Sequence, residues 1–403
     1  MRMRKTRTLV ALIAAGVLVV ALMGGCTSTP TTTPAGGGGG AKGSVIKIGV
    51  ETGLTGPLPD YGYTAAEAAK LAAKDLNAKG VTIGGKKYTI QVVVKDDKAD
   101  PAEAPVVAQG LIDEGVAGVI GPLTSGAANA AGPIYNKATM PLITASATQA
   151  KLGLNGWKNF FRDCVSDNIQ GKALADWVKE LGFKKVVIMD DSSDYSVGLS
   201  DVILKNMAGT QTLKQSVKDT DTNFSAQIAN IKNFGADAVV FTGYHKQAAL
   251  LRKQMVEAGL GKVQEFGGDG VKSSEFAKEA GSPENAKGVL VTLGAFGTSD
   301  PAQLSGYAKF KTDYKAQTGK DPGTYSEGNY DALGALVAAM EKAGSTDHGA
   351  VIKALGEIEY SGIMGTFGFD PNTGEMVGKG ASASVKTIFR YKNDGKDFVV
   401  TAK

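Results

Sequence analysis

Residues 45–51 read VIKIGVE, residues 64–79 read TAAEAAKLAAKDLNAK, and residues 88–95 read YTIQVVVK. The first and third segments are rich in Val and Ile, which is typical of strands that are buried on both faces of a sheet. The middle segment repeats apolar side chains at helical spacing from Ala65 to Leu76. A strand, a helix and a strand in this order predict a β-α-β unit with parallel strands.

The same alternation of strands and helices continues along the chain. Further strands are predicted at residues 116–120, 141–145, 184–190, 236–242, 264–267, 289–293, 384–391 and 398–401. Further helices are predicted at residues 101–114, 125–137, 168–181, 195–208, 245–258 and 326–343. The pattern runs through two successive series, so we expect an α/β fold with two doubly wound, mostly parallel sheets in two lobes.

The first 25 residues differ in character from the rest of the chain. Residues 1–8 carry four basic residues and no acid, residues 9–22 form an apolar run, and small residues follow. This order is typical of a secretory signal peptide, and the apolar run is shorter than the roughly 20 residues of a membrane-spanning helix. Residues 27–43 contain no large apolar side chain, which predicts a flexible linker of Thr, Pro and Gly.

Residues 22–26 read LMGGC, which resembles a bacterial lipobox. The resemblance implies that residues 1–25 are removed, that Cys26 is lipidated, and that residues 26–43 tether the body to a membrane. We therefore expect an exported protein that is lipid-anchored to a bacterial membrane, in the periplasm or on the outer cell surface.

Charge and composition exclude several classes of function. The chain has 44 Lys+Arg and 40 Asp+Glu, and four of the basic residues lie in residues 1–25, so 44 − 4 = 40 basic residues balance 40 acids without them. A neutral body without a dense basic run argues against nucleic-acid binding. With only two Cys and two His, we expect no disulfide scaffold, no metal site and no cofactor.

Polar and aromatic side chains follow the ends of the predicted strands, where open parallel sheets bind ligands. Hydroxyl groups and free amides near helix starts suit a carboxylate, an acid between glycines suits an ammonium, and tyrosines provide flat walls. The candidate residues are Tyr61, Ser125, Ser146, Ala147, Thr148, Tyr195, Tyr244 and Asp269. Together they predict a site for a small zwitterion between two lobes.

Simpler interpretations stay open for these residues. Ser125 and Ser146 also fit as helix caps, the tyrosines as aromatic residues at a lobe edge, and Asp269 as a turn residue. An enzyme has weaker support, because the sequence contains no G-x-S-x-G, P-loop, HExxH or paired-Cys motif. The sequence therefore favours a binding protein without catalytic activity.

Several segments resemble the periplasmic binding proteins of branched-chain amino-acid ABC transporters, which have the type I substrate-binding fold. The matching segments include IKIGVETGLTGPLPDYG (46–62), GVIGPLTSGA (118–127), PLITASAT (141–148), VVIMDDSSDYSVGL (186–199) and FGGDGV (266–271). The resemblance extends over roughly residues 45–400. It implies a three-stranded hinge between lobe 1, at 44–165 plus 293–365, and lobe 2, at 166–292 plus 366–403.

The resemblance also implies roles for individual residues. Ser125 and Thr148 would donate hydroxyl groups to a ligand carboxylate, the backbone of Ser146 would help to hold an α-ammonium, and Asp269 would be its charge partner. The aromatic contacts implied in the same way are Tyr61, Tyr195, Tyr244 and Tyr325. A monomer of this kind would capture an amino acid and deliver it to an ABC transporter permease.

Three features depart from the best-known members of that family. Asp269 stands where those members have Glu, and Ala99 and Thr124 stand where they have a disulfide. Near Tyr325, at a position where an aromatic residue is expected, this chain has Glu327. This residue either brings an acid to the side-chain pocket or caps the next helix. The alternatives are therefore the same fold with urea, a short amide or an aromatic acid as ligand, or a ligand-sensing subunit of a signalling partner.

Overall fold

The computed structural model describes residues 44–296, 306–379 and 386–401. All of these residues belong to one compact unit. Within these ranges, no helix has both the length and the apolar character needed to cross a membrane. The predicted signal peptide, Cys26 and the linker lie outside the described residues.

The described residues form sixteen strands and twelve α-helices. The strands are β1 (Ser44–Thr52), β2 (Val81–Ile83), β3 (Lys86–Asp96), β4 (Val119–Ile120), β5 (Leu142–Thr144), β6 (Phe160–Arg162), β7 (Lys185–Asp190), β8 (Gln211–Ser216), β9 (Ala238–Phe241), β10 (Gln264–Gly267), β11 (Leu290–Phe296), β12 (Tyr360–Gly362), β13 (Gly365–Phe369), β14 (Met376–Gly378), β15 (Lys386–Asn393) and β16 (Phe398–Val400). The helices are α1 (Pro59–Lys79), α2 (Ala104–Asp113), α3 (Ser125–Lys137), α4 (Asp167–Glu180), α5 (Asp194–Lys205), α6 (Ser225–Phe234), α7 (His245–Glu257), α8 (Phe276–Glu279), α9 (Pro283–Ala286), α10 (Tyr307–Thr318), α11 (Ser326–Ala343) and α12 (His348–Gly356).

Two sheets define the two lobes. The sheet of lobe 1 has the order β2-β3-β1-β4-β5-β6, and all of its neighbours are parallel except β2 and β3. The sheet of lobe 2 has the order β16-β15-β11-β10-β9-β7-β8, in which only the pairings of β15 with β11 and β16 are antiparallel. The predicted α/β fold with mostly parallel sheets is therefore confirmed.

Helices bury the faces of each sheet. In lobe 1, α1 and α11 pack together over β1, and the small side chains of Ala68 and Ala69, both fully buried, allow the close approach. In lobe 2, α4 and α5 cover one face through Leu174 and Leu199, and α7 covers the other through Leu251. This layering leaves the carboxyl ends of the strands as the edges where the lobes meet.

The chain crosses between the lobes after β6, because Arg162 ends a strand of lobe 1 and Asp167 begins a helix of lobe 2. Residues 297–305 and 380–385 lie on later connections and are outside the described ranges. The three-stranded hinge and the predicted lobe boundaries stay predictions. A separate antiparallel sheet of β12, β13 and β14 packs into the core of lobe 1.

Candidate functional site

Most of the predicted site residues surround one small cavity, of about 10 Å³, between the lobes. Leu58, Leu123 and Thr124 complete its wall. The predicted residues that line it are Tyr61, Ser125, Ser146, Tyr195, Tyr244, Asp269 and Tyr325. Ala147 and Thr148 do not line it, although they follow the same strand as Ser146.

Asp269 is a buried carboxylate that receives hydrogen bonds from two tyrosines. It lies in the turn after β10 and is 2% exposed. The hydroxyl of Tyr195 donates to Oδ1 at 2.7 Å and the hydroxyl of Tyr325 donates to Oδ2 at 2.7 Å. Burial raises the pKa of Asp269, while the two tyrosine hydroxyls act in the opposite direction. The result is a fixed hydrogen-bond acceptor in the cleft.

The glycines beside Asp269 allow this close approach. A Cβ on Gly268 would lie 2.6 Å from the hydroxyl oxygen of Tyr195, and a Cβ on Gly270 would lie 2.8 Å from its ring. Any side chain at these positions would push the tyrosine away from Asp269. Close packing against Tyr195, in addition to the turn, therefore explains why glycine stands on both sides of Asp269.

Tyr325 holds an uncommon backbone conformation directly before α11. Its φ is 72°, in the left-handed region that a non-glycine residue adopts only at a cost. The ring lies edge-on to that of Tyr61, with the centroids 5.6 Å apart. The strained residue Tyr325 thus contacts both Tyr61 and Asp269, and backbone strain of this kind is common at binding sites.

The hydroxyl groups on lobe 1 are held in different ways. Thr124 is the N-cap of α3 and accepts from the amide of Ala127, so Ser125 is not the cap residue. Ser125 Oγ accepts from the amide of Gln149 at 3.2 Å, and Ser146 Oγ donates to the carbonyl of Leu123 at 2.7 Å. Both hydroxyl groups are thus already oriented by the protein.

Thr148 differs from these two serines. Its side chain is 3% exposed, and among the described residues no partner stands in good hydrogen-bond geometry with its hydroxyl. Burial raises the pKa of the Asp167 carboxyl group, and the Thr148 hydroxyl is nevertheless near enough to act to lower it. It lines a second, larger cavity that also touches Asp269 and Tyr325. The implied sharing of one carboxylate by Ser125 and Thr148 therefore stays a prediction.

Tyr61 connects the two lobes. It lies in the first turn of α1, and its hydroxyl donates to the carbonyls of Gly270 at 3.1 Å and Lys272 at 3.2 Å. Burial raises its pKa well above the usual value for tyrosine, so the hydroxyl stays a donor. The sequence predicted this residue as part of the pocket wall and did not reveal its role in joining the lobes.

A cluster of charged residues beside Tyr61 also spans the cleft. His245 Nε2 lies 3.3 Å from Asp60 Oδ1, and His245 Nδ1 lies 2.6 Å from Glu279 Oε2. Ser273 Oγ donates to Asp60 Oδ2 at 2.9 Å. Burial lowers the pKa of His245, but the hydrogen bonds and charges of Asp60 and Glu279 outweigh it and raise the pKa to about 9.

Sequence reasoning missed this cluster. Asp60 and His245 are 185 residues apart, and neither has a local partner that would reveal the contact. Their positions after strand ends were the available signal, but neither residue was among the predicted site residues, and His245 was interpreted as a surface or cap residue. At neutral pH His245 is cationic and pairs with acids from both lobes.

The second cavity has a volume of about 180 Å³ and adjoins the first through Asp269 and Tyr325. Charged side chains that line it are Asp163, Asp269, Lys272 and Glu327. Glu327 therefore reaches a cavity in the cleft, and it also lies in the first turn of α11. Asp163 and Lys272 were not predicted, since no local motif marks them.

Arg162 positions the segment that carries Ala147 and Thr148. Its side chain is fully buried, and Nη1 donates to the carbonyls of Ala147 at 3.2 Å and Gln149 at 2.8 Å. The guanidinium also forms a bidentate ion pair with Glu375. Ala147 thus has a structural role through its carbonyl group.

A family profile described as "Periplasmic binding protein" matches residues 45–396. The chain belongs to the periplasmic binding protein family. It is 31% identical over 316 residues to the Leu/Ile/Val-binding protein homolog 3 of Brucella melitensis, covering 77% of this chain and 83% of that protein. It is 30% identical over 330 residues to the leucine-, isoleucine-, valine-, threonine- and alanine-binding protein of Pseudomonas aeruginosa, covering 81% and 86%.

Solved structures show the same relationship. The substrate-binding protein of a branched-chain amino-acid transporter from Streptococcus pneumoniae, in complex with isoleucine, has a TM-score of 0.77 and 31% identity, covering 89% of this chain and 100% of that one. A leucine-binding protein from Thermotoga maritima also has a TM-score of 0.77, at 28% identity, with 89% and 98% covered. The resemblance that the sequence indicated and the type I fold are both confirmed.

Proposed function

We propose that this chain is a lipid-anchored, extracytoplasmic solute-binding protein that captures an amino acid between its lobes and delivers it to an ABC transporter permease. One observation carries the proposal. Asp269 is a buried carboxylate in the cleft, and tyrosines from both lobes fix it at the centre of the predicted site residues. A ligand ammonium is the group that such an acceptor fits best.

Oriented polar groups lie across the cleft from Asp269. Ser125 and Ser146 of lobe 1 line the same cavity, where α3 begins, and a helix start favours a carboxylate. An amino acid carries both charges on one carbon and would therefore bridge the lobes. Relatives named for binding leucine, isoleucine and valine support this ligand class.

Calorimetric titration with the twenty amino acids tests the proposal, followed by Asp269→Ala with the tightest ligand. We expect a loss of about 2–5 kcal/mol of binding free energy, which is usual when one partner of a buried charged pair is removed. Asp201→Ala, at an exposed acid on α5, is the matched control and should bind normally. Less than a tenfold loss in Asp269→Ala would contradict the ammonium assignment.

The anchor and the partner need separate experiments. Mass spectrometry of the mature N-terminus should show a diacylated Cys26, and Cys26→Ala should release the protein from the membrane fraction. Uptake of the ligand by cells should depend on the protein and on a permease. Preferential binding of urea, a short amide or an aromatic acid, or ligand-dependent signalling without uptake, would favour the alternatives.

A further inference from the structure

The second cavity provides the space that the first one lacks. The first cavity, at about 10 Å³, is close to the smallest volume that accepts a single water molecule. The second has about 180 Å³, somewhat more than an apolar cavity of ~150 Å³ that takes up benzene. Asp269 lines both, so a ligand whose ammonium pairs with Asp269 has its side chain within reach of the larger cavity.

Lys272 provides a hydrogen-bond donor on one wall of this cavity. Its Nζ lies 3.5 Å from Thr324 Oγ1 and 5.0 Å from the centre of the Tyr391 ring. No carboxylate of the described residues pairs with it directly, although Glu327 and Asp397 act on it through their charge. Burial outweighs these charges and lowers the pKa of Lys272. The ammonium therefore lacks the strong acceptor that a buried cation normally has.

Asp163 provides unused acceptors in the same cavity. It is 2% exposed, and neither of its carboxyl oxygens has a hydrogen-bond partner among the residues that the structure describes. Burial, together with the charge of Asp331, raises its pKa well above the usual value for aspartate. Glu327 lines the cavity as well, and burial raises its pKa too. A carboxyl group that is buried and unpartnered is costly unless a ligand supplies the missing hydrogen bonds.

The two kinds of group together restrict the ligand. A cationic side chain in this cavity would be attracted by the carboxyl groups but would offer Lys272 no acceptor, and an anionic one would approach Asp269, Asp163 and Glu327. An apolar side chain would form no hydrogen bond with Asp163, so the free-energy cost of burying that carboxyl group would remain. A neutral group with both a donor and an acceptor avoids all three penalties, and a primary carboxamide is such a group.

We propose that the second cavity is a side-chain subsite for an amino acid that ends in a primary carboxamide, whose oxygen accepts from Lys272 and whose NH₂ group donates to Asp163 or Glu327. This inference rests on the proposed function, since it uses the ammonium pairing at Asp269. It narrows the ligand class from amino acids in general to those with the side chains of glutamine and asparagine.

Calorimetric titration of the purified protein with L-glutamine, L-asparagine, L-leucine, L-glutamate and L-lysine tests the subsite. Glutamine or asparagine should bind at least about tenfold more tightly than the other three, which is the usual effect of a hydrogen bond to a charged group. Lys272→Met should weaken binding of the carboxamide ligand by about tenfold and leave leucine binding unchanged or tighter. Lys74→Met, at an exposed position of α1, should preserve the ranking.

The outcomes separate this inference from the proposed function. Tightest binding of leucine, glutamate or lysine, or a ranking that Lys272→Met does not change, would overturn the subsite and retain an amino-acid-binding protein. Failure of every amino acid to bind would overturn both proposals. A melting curve for each variant shows whether it is folded. Glu327→Gln, which keeps the size of the side chain, provides a second test of the same ranking of ligands.

Discussion

Arg162 is a residue whose burial makes a definite prediction about stability. It is fully buried, pairs with Glu375, and donates to the carbonyls of Ala147 and Gln149. Arg162→Met keeps the apolar stem but leaves these acceptors without a partner. We expect a loss of about 2–4 kcal/mol in the free energy of unfolding, measured by urea denaturation.

An exposed ion pair provides the control for Arg162. Lys172 and Asp176 lie one turn apart on α4, with side chains 63% and 34% exposed. Such pairs contribute only about 0.3–0.5 kcal/mol, so Lys172→Met should hardly change the denaturation midpoint. Equal losses in the two variants would show that Arg162 has no special structural role.

Residue types at the site were largely predictable, and their partners were not. Asp269 follows a strand end between glycines, and local sequence is sufficient to mark it. Its partner Tyr325 is 56 residues away and has a left-handed backbone conformation that sequence does not reveal. Asp163 carries no local signal, because burial without partners is a property of the folded chain.

At the scale of elements, α1 shows both the success and the limit of sequence patterns. The periodic run predicted a helix from residue 64, and the observed helix begins at Pro59. Proline is accepted at the first helical position, where no amide donor is needed, and Asp60 in the first turn favours the helix dipole. The five additional residues place Asp60 and Tyr61 on a helix, where the sequence had suggested a loop.

Gly62 makes a prediction about the packing of α1. A Cβ at this position would lie 1.9 Å from the carbonyl oxygen of Gly53, in the turn after β1. Gly62→Ala should therefore destabilise the protein by at least about 2 kcal/mol in urea denaturation, because that backbone would have to move. Ligand affinity should fall as well, since the shift acts on the helix turn that carries Tyr61.

Gly110 is the matched control for this substitution. It lies inside α2, and a Cβ there would have no heavy atom within 4 Å. Gly110→Ala should stabilise the protein by about 0.5–1 kcal/mol, because alanine favours the helix. The same direction of change in both variants would contradict the steric account.

At the scale of the whole molecule, contacts across the cleft make stability depend on pH. His245 of lobe 2 pairs with Asp60 of lobe 1 and with Glu279, and its pKa is raised to about 9. Because the pKa of His245 is higher in the folded state, its protonation stabilises that state. The stabilisation is complete at pH values below about 6.5, the pKa in the unfolded chain, and it is lost as the pH rises through 9. Burial raises the pKa of Asp60, but the hydrogen bond and charge of His245 lower it overall, so its own contribution is lost only in acid.

We therefore expect the His245 contact to contribute a fall of about 3 kcal/mol in the free energy of unfolding between pH 6.5 and 9. Buried carboxyl groups add to the fall over the same range, among them Glu265, whose pKa burial raises to about 8. His245→Gln should remove only the part of the slope that belongs to the contact, and His348→Gln, at the start of α12, is the control substitution of the other histidine. Urea denaturation at several pH values measures the effect. An unchanged slope in His245→Gln would exclude the contact as its cause.

The central claim is that the protein recognises an amino acid by pairing its ammonium with Asp269 in the cleft between the lobes. The most direct measurement is a calorimetric cycle that compares the tightest amino acid with its deaminated carboxylic acid, on the natural protein and on Asp269→Ala. We predict that losing the ammonium costs about 2–5 kcal/mol on the natural protein and little on the variant. Equal costs on both proteins would contradict the pairing and favour a ligand without an ammonium.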